Sequence, residues 1–165
     1  MYSELLDKTT YKAISEVEAV LNNLCEDTKT ELKKIFNSSE NSDYLCKTFD
    51  IIRNSDIHII KLRHSNEPVG LYGLIPQDKE SAGIFLLTTD NLHKGNIITF
   101  LKGARKQVDE WSKQYKLIMD NCYKQNFTIQ KWLKLLGFQP SEIQDEDFQI
   151  YYRGDISLYD EGNKQ

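Results

Sequence analysis

Between residues 56 and 88 the hydrophobic period changes from helical to strand-like, and no other feature of the sequence constrains the fold as tightly. Ile57, Ile59, Ile60 and Leu62 lie in a β-rich run over residues 56–64, which Ser65, Asn66, Glu67 and Pro68 close as a turn. Val69, Leu71, Leu74 and Ile75 mark a second run, followed by the polar turn at residues 76–80. Residues 82–88 form a third, almost continuously apolar through Ile84, Phe85, Leu86 and Leu87. Three strands joined by short polar turns predict an antiparallel meander. The unbroken apolar character of the third predicts burial on both faces, hence a central strand.

Helical periods flank the meander. Tyr11, Ile14, Val17, Val20, Leu21 and Leu24 recur mainly at three- and four-residue intervals, and Asp27 and Thr28 open a second helix through Leu32, Ile35 and Phe36. Ser42 is placed to cap a third helix over residues 44–52. Ile97, Phe100, Leu101, Ala104, Val108, Trp111 and Tyr115 make the longest amphipathic stripe. A strand at residues 116–122, a helix at 127–136 with Gly137 closing it, and strands around Phe138 and residues 148–152 complete the order. The expectation is one α/β (α+β) domain over residues 1–154, a mixed central sheet with helices on both faces, and a loosely held tail at 155–165.

With 165 residues, 21 Lys and Arg, and 25 Asp and Glu, the formal net charge is −4, so nucleic acid is not an expected partner. No apolar stretch nears the ~18 residues of a membrane span, and the first residues carry acid where a signal peptide needs positive charge. The three cysteines (25, 46, 122) and three histidines (58, 64, 93) form no metal-ligand spacing, so no metal is expected. His58 and Tyr72 read as hydrogen-bonded or packed strand residues rather than a base and an acid. Trp132 reads as a core anchor on the stripe of Ile129 and Leu136.

The run from Asn126 through Trp132 and Leu133 to Leu136, Gly137 and Phe138, following the meander and long helix, resembles the GNAT N-acetyltransferase superfamily. It places an Asn beyond the fifth strand of that pattern, then an amphipathic helix, then Gly-Phe. More narrowly, Trp132-Leu133 before Leu136-Gly137-Phe138, with the strand from Ile84 to Asp90, is similar to the acetyltransferase-like internal virion protein A family of short-tailed phages. The resemblance covers residues 10–152. It implies an acyl-CoA N-acyltransferase fold with acetyl-CoA as cofactor, its pantetheine arm facing Leu86, Leu87 and Thr88. The diphosphate would lie against Lys94, Gly95, Asn96 and Ile97, and Asn126 would contact the distal cofactor.

The sequence departs from that pattern in three places. Only Gly95 stands where two spaced glycines are usual, no carboxylate lies within residues 84–89, and Leu133 stands seven residues after Asn126 where many members carry a proton-donating Tyr. Tyr123 and Asp120 are the substitute candidates for catalysis. These departures favour degenerate or lost chemistry, and with the narrower resemblance they imply a phage GNAT-fold protein that serves in the virion or its assembly. It would bind phage structural or assembly proteins, in the infected host's cytoplasm or packaged in the virion. The alternative is an active acetyl-CoA-dependent enzyme acting on a primary amine, carried by a small molecule or a protein.

Overall fold

The computed structural model describes residues 1–38, 40–95 and 97–162. In chain order the elements are β1 (Tyr2–Leu5), α1 (Tyr11–Asn22), α2 (Glu26–Ile35), α3 (Asn41–Arg53), β2 (Asp56–Lys61), β3 (Pro68–Pro76) and β4 (Ser81–Thr88). A 3-10 turn follows (Asp90–Lys94), then α4 (Ile97–Trp111), β5 (Leu117–Tyr123), α5 (Phe127–Leu135), β6 (Gln139–Gln144), β7 (Phe148–Gly154) and α6 (Ser157–Gly162). The strands form one mixed sheet in the order β1-β2-β3-β4-β5-β7-β6, with β4 at its centre. Seven of β4's eight residues are buried, as its apolar run predicts. The meander, the mixed sheet and the helix order follow the sequence reading.

The backbone divides into two compact units, residues 1–75 with 85–100, and residues 76–84 with 101–165. In the first, Ile57, Ile59, Leu71 and Leu87 join Ala13, Val17, Val20, Leu21, Leu32, Tyr44 and Ile52 in a core between sheet and α1–α3. Strand alternation sends His58, Ile60 and Tyr72 to the other face. There Phe100 of α4 meets the Tyr72 ring edge-on at 5.7 Å, so helices cover both faces. Lys61 is 2% exposed on β2 and is paired with Glu4 of β1 and with Glu16 of α1, the latter at 2.7 Å. Burial lowers its ammonium pKa, but hydrogen bonds and charge from Glu16 and Glu4 outweigh that and raise it.

In the second unit β5 and β7 pair antiparallel along their whole length. Leu117, Met119 and Ile150 form a small core against which Ile143 and Tyr152 pack. Helix α5 ends in a Schellman closure: the Phe138 N–H donates to the Leu133 carbonyl at 3.0 Å and the Gly137 N–H to Lys134 at 3.1 Å. Gly137 stands there at φ +89, where a side chain would be strained. Arg153 donates to the Leu136 carbonyl at 3.1 Å, placing a cation at the negative end of the helix.

Four local readings need correction. The first residues form an edge strand, β1, where the sequence offered only four residues and no full period. Ser42 lies inside α3, whose cap is Glu40. Residues 62–64 leave β2 for the turn, because the Leu62 N–H bonds to the Glu67 carbonyl while Asn66 adopts φ 58. The expected tail contains α6, and Ile156, Leu158 and Tyr159 pack on the small core of the second unit.

Candidate functional site

The ladder between β4 and β5 is short. Its register pairs Ser81 with Leu117, Ala82 with Ile118 and Gly83 with Met119, and there it ends, although β4 continues to Thr88. Within the first unit, alternation fixes which peptide groups of that continuation face which way. The Thr89 N–H donates to the Val69 carbonyl of β3 at 3.1 Å, and a Cβ added to Gly70 of β3 would lie 2.8 Å from the Leu87 carbonyl. Residues 87 and 89 therefore direct their peptide groups to β3, and residues 86 and 88 direct theirs to the opposite side. On that side the Thr88 carbonyl accepts from the Cys25 N–H at 2.9 Å, and Leu24 bridges Thr89. The Leu86 N–H and carbonyl and the Thr88 N–H face the same side, away from β3.

Of the three residues expected along pantetheine, Leu86 and Thr88 thus have backbone suited to receive an extended chain, and Leu87 has its side chain in the α1–α3 core instead. The Thr88 hydroxyl lies 3.2 Å from both the Cys25 thiol and the Thr28 hydroxyl. This clamp on the end of β4 had one signal in the sequence, a thiol and a hydroxyl three residues apart at the start of α2.

Gly95 does not provide an open cradle. A Cβ there would lie 2.2 Å from Met1 Cγ and 3.0 Å from Leu62 Cδ2, so the space released by the missing side chain is filled with protein. Its glycine identity is explained by this close packing. Lys94 is exposed at the end of the 3-10 turn, and Ile97 opens α4. Asn96 lies outside the described residues.

The other candidates belong to the second unit. Asn126 caps α5: its side-chain oxygen accepts from the Ile129 N–H at 3.2 Å, and the residue is 1% exposed. Tyr123 is buried at the end of β5, its ring 5.8 Å from Phe148, and its carbonyl accepts from the Asn126 N–H at 2.9 Å. Asp120 is half-buried on the same strand. The odd separation of Asp120 and Tyr123 sends their side chains to opposite faces, so β5 does not converge them. Leu133, where a Tyr was looked for, is fully buried on α5. In the first unit His58 stacks on Tyr72 at 5.0 Å, and burial lowers its imidazole pKa against the opposing charge of Asp56. Among the described residues no group of three or more His, Cys, Asp or Glu could hold a metal ion, and no helix is long and apolar enough to cross a membrane.

No family model matches the sequence, and no curated protein matches it. Solved structures do match. A domain from Methanocaldococcus jannaschii superposes with a TM-score of 0.66 at 16% identity, over 92% of this chain and 96% of its own. The microcin C7 self-immunity acetyltransferase MccE, solved with acetyl-CoA and AMP, gives 0.61 at 18% identity over 93% of each chain. The ribosomal-protein-alanine N-acetyltransferase of Brucella melitensis gives 0.59 at 9% identity, over 94% of this chain and 100% of that one. The chain has the GNAT acyl-CoA N-acyltransferase fold. At these identities the likeness is one of fold.

Proposed function

We propose that the protein is an acetyl-CoA-dependent N-acetyltransferase acting on a primary amine. The observation that carries this reading is the end of β4, where the Leu86 N–H and carbonyl and the Thr88 N–H face away from β3, along an edge that the Cys25 N–H takes up only at the Thr88 carbonyl. Acetyl-CoA, when bound, supplies a thioester whose carbonyl carbon can accept an amine. Leu86 and Thr88 would hold the pantetheine amides as a further strand, and the Cys25 N–H on the Thr88 carbonyl would limit how far that strand extends. Lys94 would face the diphosphate through its side-chain charge and Ile97 through the helix-end N–H groups it opens, since Gly95 is packed against Met1. Asp120 and Tyr123 leave β5 on opposite faces and cannot both serve one thioester; Asp120, the less buried of the two, would accept the amine proton, and the coenzyme thiolate can depart without a proton donor.

Differential scanning fluorimetry with acetyl-CoA tests the reading directly. A ligand at a hundred times its dissociation constant stabilises the native state by about 2.7 kcal/mol, which appears as a rise in Tm. No rise at millimolar acetyl-CoA would overturn the proposal. If Tm rises, release of free thiol from acetyl-CoA across a panel of primary amines completes the test.

A second reading keeps the fold and drops the chemistry: a phage virion or assembly component, held in the infected host's cytoplasm or packaged in the particle. Two observations are consistent with its loss of chemistry, the filled space at Gly95 and the buried Leu133 in place of a proton donor, and its phage role rests on the sequence resemblance alone. Binding of acetyl-CoA without transfer to any amine supports this second reading over the first.

A further inference from the structure

Between α1 and α3 the first unit leaves an apolar groove that its core does not close. Leu21, Leu45 and Phe49 line one part, of about 460 Å³, and Ile14, Val17 and Phe49 line a second, of about 150 Å³, so Phe49 stands where the two meet. The helices run antiparallel along it, Leu21 and Asn22 across from Leu45 and Cys46, and Ala13 and Ile14 across from Ile52 and Arg53. Its two ends carry opposite charge. Among the described residues, exposed Glu18 and Asp50 are the charged groups of the larger part. The smaller part has Arg53, its guanidinium 6.0 Å from the Phe49 ring, and Lys8, whose ammonium donates to the Arg53 and Ser55 carbonyls at 2.9 and 2.7 Å. Among the described residues the Glu18 and Asp50 carboxylates and the Arg53 guanidinium make no hydrogen bond or ion pair, although Lys47 and Asp43 on the same α3 are paired at 2.9 Å. Tyr11, 87% exposed, and Ile14, 40% exposed, lie one turn apart on α1 and extend the apolar surface at the Arg53 end.

A groove with an acidic end and a basic end is complementary to itself when turned end for end. A two-fold axis crossing the groove at Phe49 sets Glu18 and Asp50 of one copy against Arg53 of the other, twice, and brings the two Phe49 rings together. An axis along the groove would instead oppose acid to acid, a juxtaposition that costs several kcal/mol. We propose that this face docks a second copy of the chain in the crossed arrangement. The aromatic and aliphatic centre supplies the affinity, and the crossed charges fix the register. A foreign partner would need the same dipolar pattern, which the chain already carries. The pairing uses no residue of the acetyl-CoA reading above and stands or falls apart from it.

Sedimentation equilibrium of the full chain at low salt, at concentrations up to about 200 µM, tests the pairing with two charge variants. One is Glu18→Lys/Asp50→Lys and the other Arg53→Glu. All three side chains are exposed, so each variant should keep a Tm near that of the wild type. The wild type is expected at twice its 19.3 kDa mass, with the dissociation constant raised about tenfold or more in each variant alone. Mixing the two variants restores both crossed pairs with their signs exchanged, so the mixture is expected to dimerise as the wild type does. Damage to the fold of either variant would not be rescued by mixing. A wild type that stays at 19.3 kDa overturns the proposal. So does a dimer that both variants retain, or one that the mixture fails to restore.

Discussion

Tyr72 shows how far a single side chain can depend on its surroundings. It is 1% exposed, its hydroxyl lies 3.1 Å from that of Ser3, and burial, offset in part by this hydrogen bond, pushes its pKa up from 10.0 to about 12. A phenol whose folded pKa exceeds its unfolded value contributes stability that is complete below pH 10 and is lost as pH rises toward 12, because the unfolded chain ionises first. Two pKa units correspond to about 3 kcal/mol. Tyr72→Phe removes that titration together with a hydrogen bond worth about 1 kcal/mol. In urea denaturation the wild type should be the more stable below pH 10, with the difference shrinking and then reversing toward pH 12. A gap that stays constant across this range would contradict the burial argument. Gly95 carries the opposite lesson. As a sequence feature it resembles a phosphate-loop glycine, but the contact that requires it is with Met1, ninety-four residues away along the chain, and no local pattern encodes such a contact.

At the level of elements, what could be read beforehand depended on how local the deciding physics is. The meander, the long α4 and the α5 closure are written in periodicity and turn residues within a dozen positions, and each forms where expected. Strand β1 was illegible because it exists only through its ladder with β2 and the buried Lys61 pairs, all long-range. The candidate site divides the same way. Residues 86–88 could be placed on a central strand, but which of their peptide groups face outward depends on the pairing of β3 and the contact from Cys25. Asn126 was legible as a position with a purpose, and the structure supplies one at the scale of its helix, an N-cap. Asn126→Ala should cost about 1–2 kcal/mol through the orphaned Ile129 N–H, while Asn126→Ser retains an uncharged N-cap acceptor and costs less. Chemical denaturation of the two variants checks this. Acetyl-CoA affinity measured on Asn126→Ser then reports whether the residue also touches the cofactor.

For the molecule as a whole, the last residues test whether α6 belongs to the fold. The Asp155 N–H donates to the Lys116 carbonyl at 2.9 Å, and Ile156, Leu158 and Tyr159 then lie against Leu117, Met119 and Ile150. Burying three side chains in part is worth about 2–4 kcal/mol, a large share of the margin by which a domain of this size is stable. Gly154 makes the turn into this segment at φ +104, with the Lys116 carbonyl 2.0 Å from where a Cβ would be, so the geometry leading into α6 tolerates no other residue. A chain truncated after Asp155 should therefore unfold at lower denaturant by an amount in that range. Hydrogen exchange should locate the loss, with faster exchange of β5 and β7 amides and little change in β2 and β3, whose core shares none of these contacts. Truncation that leaves both the midpoint and the β5–β7 protection unchanged would return residues 156–162 to the status of a tail.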